Sequence, residues 1–172
     1  MSTITAEIIT ARQLTLVPLR AEHAAEMAAV LADPGLYRFT GGSPPTPQEL
    51  RARFERWVAG SPDPAVTWCN WVILRHGPGC LAGTVQATIS TAGEQPAAEV
   101  AWVVGRPWQG QGIAREAAQA LIAWLRRHSV HAVVAHIHPD HSASAAVATA
   151  AGLTPTDHWQ DGEIRWRLTA TS

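Results

Sequence analysis

The chemistry of this chain concentrates where a short apolar run, Glu99 to Val104, enters the turn Gln109-Gly110-Gln111-Gly112-Ile113-Ala114 and then an amphipathic stretch ending at Arg127. A strand that feeds a glycine-containing turn and then a helix start is suited to holding phosphate. The first amides of a helix have no intrahelical partners, and its dipole favours negative charge there. Gly110 and Gly112 carry no β-carbon to hold a pyrophosphate off the backbone, and Ala114 keeps the approach open. A bare Gly-x-Gly is equally what a tight turn needs, so the pair alone does not establish a ligand.

Two phosphate-binding patterns fail here. A P-loop needs Lys and Ser or Thr after its last glycine, where this chain has Ile113 and Ala114. The dinucleotide fingerprint needs a third Gly, where this chain has Arg115, and an acid after the next strand, which Val134 lacks. His136, His138 and His141 form a second cluster. The first two share one face of an expected strand, but no Cys or acidic partner accompanies them, and no metal site is expected.

The elements that position these residues are legible as patterns. Leu14 to Leu19 reads as a short strand, and Ala21 to Leu31 as a helix ended by Asp33-Pro34-Gly35. Thr46-Pro47-Gln48-Glu49 is a capped helix start, with Leu50, Phe54, Trp57 and Val58 expected on its buried side. Trp68 to Leu74 and Leu81 to Ser90 read as a hairpin around His76 to Gly79, with a bulge suggested at Gly83. Ala98 to Val104 is then the fourth strand. Gly112 to Arg127 is a helix burying Ile113, Ala117, Ala120, Leu121, Trp124 and Leu125. A strand over Ala132 to Ile137, a helix over Ser142 to Ala151, and a hairpin turning at Asp161-Gly162 complete an α/β chain whose sheet must be mixed.

With 172 residues the chain suits one domain, with residues 1–12 expected to be flexible. The net charge of −1 argues against nucleic-acid binding. No apolar run reaches the roughly 20 residues of a membrane span, and no secretory signal pattern is present, so a cytoplasmic protein without membrane contact is expected. A Cys69–Cys80 disulfide is not expected, because the hairpin register sets Cys69 opposite the region of Gln86.

Gln109, Gly112 and Ala114 stand at the defining positions of Gln/Arg-x-x-Gly-x-Gly/Ala, so the turn resembles motif A of the GNAT superfamily of acetyltransferases. Residues 98–104 look like that family's fourth strand. The segment Pro139-Asp140-His141-Ser142-Ala143-Ser144 is similar to its Pro-x-Asn-x-x-Ser motif, with His141 in place of Asn, and Gly152-Leu153 to the close of its last helix. The opening of the chain resembles the branch that contains ribosomal-protein N-terminal acetyltransferases. The resemblance implies a mostly antiparallel central sheet flanked by helices, with the phosphate turn after its fourth strand. It also implies acetyl-CoA as cosubstrate, bound by Val103, Val104, Gln109, Gly110, Gln111, Gly112, Ile113, Ala114, His141 and Ser144.

The reaction implied is direct attack of a neutral amine on a thioester. At pH 7, deprotonating a lysine-like amine of pKa about 10.4 costs roughly 4–5 kcal/mol, whereas an α-amino group near 8 costs only about 1 pKa unit. By resemblance Glu99 is a candidate base, although a strand-end carboxylate facing solvent is an equal reading, and Ser144 is a candidate proton donor to the leaving thiolate. Tyr37 and Phe39, beside the Gly-Pro loop, together with Asn70, Trp71 and His138, are candidate acceptor contacts; His138 is also a second candidate base. Trp108 is expected to brace the turn. The acceptor expected is a small-molecule amine or a protein N-terminus, handled by a monomer or homodimer. A non-catalytic acyl-CoA-binding module is the alternative.

Overall fold

A computed structural model describes residues 4–168. Its strands are β1 (Ile9–Thr10), β2 (Leu14–Pro18), β3 (Val66–Arg75), β4 (Leu81–Ser90), β5 (Ala97–Val104), β6 (Ala132–Ile137), β7 (Leu153–Gln160) and β8 (Glu163–Leu168). Its helices are α1 (Ala24–Val30), α2 (Pro47–Ala59), α3 (Ile113–Arg127) and α4 (Ser142–Ala150). The strands form one sheet in the order β1-β2-β3-β4-β5-β6-β8-β7, antiparallel except for the β5–β6 pair. The strand expected as the fourth is thus β5, because a two-residue strand precedes the first one expected. In the N-terminal stretch Ile9 is buried and Ile4, Ala6 and Ala11 lie against the core, while residues 1–3 are outside the described range.

Strand alternation sends side chains to two cores. On one face Leu14, Leu16, Trp71, Val85, Ala98 and Val100 meet the apolar stripe of α3. On the other, Val72 and Leu81 meet α1 and α2 through Met27, Leu50 and Phe54. The cap of α2 forms as its sequence demands: Glu49 N–H donates to Thr46 Oγ1 at 3.1 Å, and Thr46 N–H to Glu49 Oε1 at 3.0 Å. Val58, expected inside, is 58% exposed, because it lies past the stripe formed by Leu50 and Phe54. Cys69 pairs with Ala87, one residue from the position expected, and both cysteines are free. The register shift lies between Ile73 and Leu74, next to Gly83. A β-carbon at Gly83 would lie 2.0 Å from the Val103 carbonyl oxygen, so glycine is what lets β4 close on the end of β5.

Candidate active site

The parallel contact of β5 with β6 is short. Ala97, Ala98 and Glu99 pair with Ala132, Val133 and Val134, after which β6 turns to pair with β8 over Val134 to Ile137. Residues 100–104 of β5 therefore have no strand partner on that side among the described residues. A cleft of about 670 Å³ opens along this free edge. Trp102, Val103 and Val104 line it from β5, the turn from Gln109 to Arg115 closes one end, and His141 to Ser144 form the opposing wall.

The turn is stiffened by its own side chains. Gln109 Nε2 donates to the Val104 carbonyl at 3.0 Å, and Gln111 Nε2 donates to that of Pro107 at 3.2 Å. From outside, Gln13 N–H donates to Glu116 Oε2 at 2.8 Å, and Arg75 Nη1 holds Gln13 Oε1 at 3.0 Å. Trp108 lies under Arg75, with the guanidinium 6.0 Å from its ring centre, which suits a bracing role. Gly110 and Gly112 have φ of +77° and +76°, a region costing most residues roughly 1–2 kcal/mol. A β-carbon at Gly110 would meet nothing within 4 Å, so the glycines serve the backbone conformation and leave open space above it. Gly112, expected as the first helical residue, is the N-cap of α3, and among the described residues no side chain caps that helix. Its first amides are therefore left for a ligand, as a bound pyrophosphate requires. With the free edge and the cleft, these residues fit acetyl-CoA.

On the opposing wall His141 is the N-cap of α4, with no side-chain cap, and Ser144 is that helix's third residue, half-buried and facing the cleft. His141 stacks on Phe39 with ring centres 4.5 Å apart at 16°. Burial, and secondarily the nearby His138, pulls His141 below the usual histidine value, which keeps the ring neutral against Phe39. His138 packs on the other part of Phe39 at 5.1 Å, and its Nδ1 accepts the Asp140 N–H at 3.0 Å.

The remaining candidates separate. Tyr37 donates its hydroxyl to the Leu31 carbonyl at 2.9 Å and ties down its own loop; burial pushes its phenol up. Asn70 lines a smaller pocket of about 80 Å³ with Trp57, Trp68, Gln86 and Thr88, on the α2 side of the sheet. Trp71 is a correction. It is wholly buried, edge-on to Trp124 at 5.1 Å with Nε1 donating to the Glu7 carbonyl at 2.7 Å, so it cannot touch an acceptor. Strand alternation decides this, since neighbours on β3 face opposite cores.

Glu99 does not line the large cleft. It stands where β6 leaves β5, opposite Thr88 on one side and Val134 on the other. Its Oε1 is hydrogen-bonded to His136 Nδ1, and Arg165 Nε donates to His136 Nε2 at 3.2 Å. Glu99 is the base candidate of the sequence and His136 belongs to its histidine cluster, but their junction with Arg165, and the arginines Arg106 and Arg115 along the cleft, were not singled out from the sequence. The alternation Glu163, Arg165, Arg167 announces one polar strand face, but nothing in it announces the partner strand. Among the described residues no group of three or more His, Cys, Asp or Glu side chains is placed to hold a metal, and no helix is long and apolar enough to cross a membrane.

Residues 13–154 match the GNAT acetyltransferase domain family. The chain belongs to that family. No curated protein sequence matches it. The fold resembles that of a GNAT-family acetyltransferase from Bacillus anthracis (TM-score 0.77, 16% identity, covering 94% of this chain and 98% of that one). It also resembles a ribosomal α-N-protein acetyltransferase (RimL) in complex with coenzyme A, at TM-score 0.73 and 18% identity over 94% of this chain and 96% of that one. A third similar structure is the microcin C7 self-immunity acetyltransferase MccE in complex with acetyl-CoA and AMP. There the TM-score is 0.75 and the identity 16%, over 93% of this chain and 94% of that one.

Proposed function

We propose that the protein is an N-acetyltransferase that moves acetyl from acetyl-CoA to a primary amine, a small molecule or a protein N-terminus, in the cytoplasm, as a monomer or homodimer. The observation that carries the reading is the free edge of β5 opening onto a cleft between an uncapped helix N-terminus and Ser144. Acetyl-CoA supplies an activated thioester and a thiolate leaving group. The backbone of Val104 points to the free edge and offers bonds to its extended arm, Val103 being paired with Thr84 of β4. The amides from Gly110 to Ala114 face its pyrophosphate, and a backbone N–H of this edge polarises the acetyl carbonyl.

Glu99 takes the amine's proton, directly or through water, at the fork between β5 and β6. Ser144 Oγ–H donates to the departing sulfur, whose pKa resembles the roughly 8.5 of free cysteine. Phe39 and His141 shape the acceptor's entrance. An α-amino acceptor is favoured because it needs only about 1 unit of deprotonation at pH 7. Two of the similar structures carry coenzyme A or acetyl-CoA, and one is named for α-N-protein acetylation, which supports both halves of this reading.

The test is thiol release from acetyl-CoA with a panel of α-amino peptides, lysine ε-amines and small amines. Amine-dependent release, fastest with an α-amino member, is expected. Tight acetyl-CoA binding with no acetylation of any amine would instead indicate the non-catalytic module.

A further inference from the structure

Glu99, His136 and Arg165 come from three strands and meet on one face of the sheet. Glu99 pairs with Val134, and His136 lies two residues further along β6, past the point where β6 leaves β5. Arg165 is the residue directly opposite His136 on β8. The His136 side chain is only 9% exposed, whereas that of Glu99 is 48% exposed. Arg165 Nη2 reaches Gln160 Oε1 at 3.4 Å, so the guanidinium is held from behind.

The hydrogen bonds settle the protons on the ring. A guanidinium donates and never accepts, so the Nε2 that takes the Arg165 Nε–H must present its lone pair. A neutral imidazole then carries its one hydrogen on Nδ1, where the partner is Glu99 Oε1. That Nδ1–H can be accepted only by a carboxylate oxygen without a proton. His136 therefore has no free lone pair with which to take a proton from an amine, while Glu99 retains its second oxygen, Oε2, for that task.

We infer that His136 is a positioning residue for the proposed acetyl transfer: Arg165 locks it as the Nδ1–H tautomer, and that donor holds the Glu99 carboxylate aimed at the acceptor amine. This rests on the reading of Glu99 as the base. It assigns the proton to Glu99 rather than to either nearby histidine, since His138 Nδ1 is taken by the Asp140 amide.

The direct test is nitrogen-15 NMR of histidine-labelled protein at pH 7, with His136 assigned from the signal missing in His136→Asn. A protonated Nδ1 and an unprotonated Nε2 are expected, with a tautomer mixture in Arg165→Met. A protonated Nε2 in the wild type overturns the proposal.

A kinetic arm uses the fastest amine of the panel. His136→Leu should lower kcat about tenfold to hundredfold, the scale of one hydrogen bond to a charged group, with KM for acetyl-CoA unchanged. His136→Asn, which keeps an N–H near the Nδ1 position, should restore most of the rate and show that the loss is not misfolding. A fall in Glu99→Gln without one in His136→Leu overturns the proposal and leaves the base reading standing. No fall in Glu99→Gln overturns the base reading, and the proposal with it.

Discussion

The two sides of the fork between β5 and β6 are built differently. The proposed donor side, from Val103 to Ala114, is backbone: the first amides of α3, two left-handed glycines and a strand edge unpaired among the described residues. The proposed acceptor side is made of side chains from distant strands and loops, with Glu99, His136 and Arg165 in one cluster and Phe39 with His141 in another. Backbone can be presented by one continuous stretch of sequence, and it suits a ligand whose shape does not vary. Side chains assembled from several elements can be exchanged one at a time while the sheet stays intact. The difference predicts that substitutions on the two sides change different kinetic constants.

The largest effect is expected on the acceptor side. Glu99→Gln removes the proposed base and should lower kcat about 10²–10⁴-fold, with KM for acetyl-CoA little changed, in steady-state thiol-release assays. Trp71→Ala sharpens the comparison from the core. It should lower unfolding stability by about 3–5 kcal/mol in urea melts, and it should leave the acceptor profile of the surviving folded enzyme unchanged.

On the donor side, Gly112→Val places a β-branched residue at φ +76°, a strained conformation at the N-cap of α3, with its β-carbon 3.6 Å from Arg115 Nη2. KM for acetyl-CoA should rise about tenfold to hundredfold, corresponding to one charged-group hydrogen bond, with a smaller change in kcat. Ser144→Ala, on the wall between the two sides, should reduce kcat by about tenfold while altering cofactor affinity less.

The smallest effect concerns protonation. Burial lowers His141, so the unfolded chain binds a proton at a higher pH than the folded one. Stability from the neutral Phe39–His141 stack is fully present above the ordinary histidine value of about 6.5 and is lost as pH falls through the lower folded value. A His141 titration followed by NMR should have its midpoint below about 6.5, and Phe39→Ala should move it back toward that value.

The same contrast governs what the sequence discloses. Gln109 to Ala114 is contiguous, so its glycines, the strand before it and the helix after it can be read together, and the structure sets them as expected apart from Gly112 serving as the cap. The Thr46 to Glu49 cap and the Asp161-Gly162 turn are likewise local, and both form. Glu99, His136 and Arg165 are separated by long stretches of chain, and only the register of β6 with β8 and the departure of β6 from β5 bring them together. Trp71 shows the converse limit: its aromatic type is compatible with a cleft or a core, and the face of β3 it occupies decides for the core. The small-residue composition of α4 marked it as a helix but did not show that His141 would stack on Phe39 from a loop far earlier in the chain.

The most direct measurement of the central claim is thermal unfolding with acetyl-CoA, ATP or NAD present at equal, saturating concentration. A ligand at free concentration L that binds only the folded state stabilises it by RT ln(1 + L/Kd), about 2.7 kcal/mol at a hundred times its Kd. The fold and turn predict a clear rise in Tm with acetyl-CoA, none with ATP or NAD, and a much smaller rise for Gly112→Val. Stabilisation by ATP or NAD but not by acetyl-CoA would contradict the assignment of the Gln109–Ala114 turn.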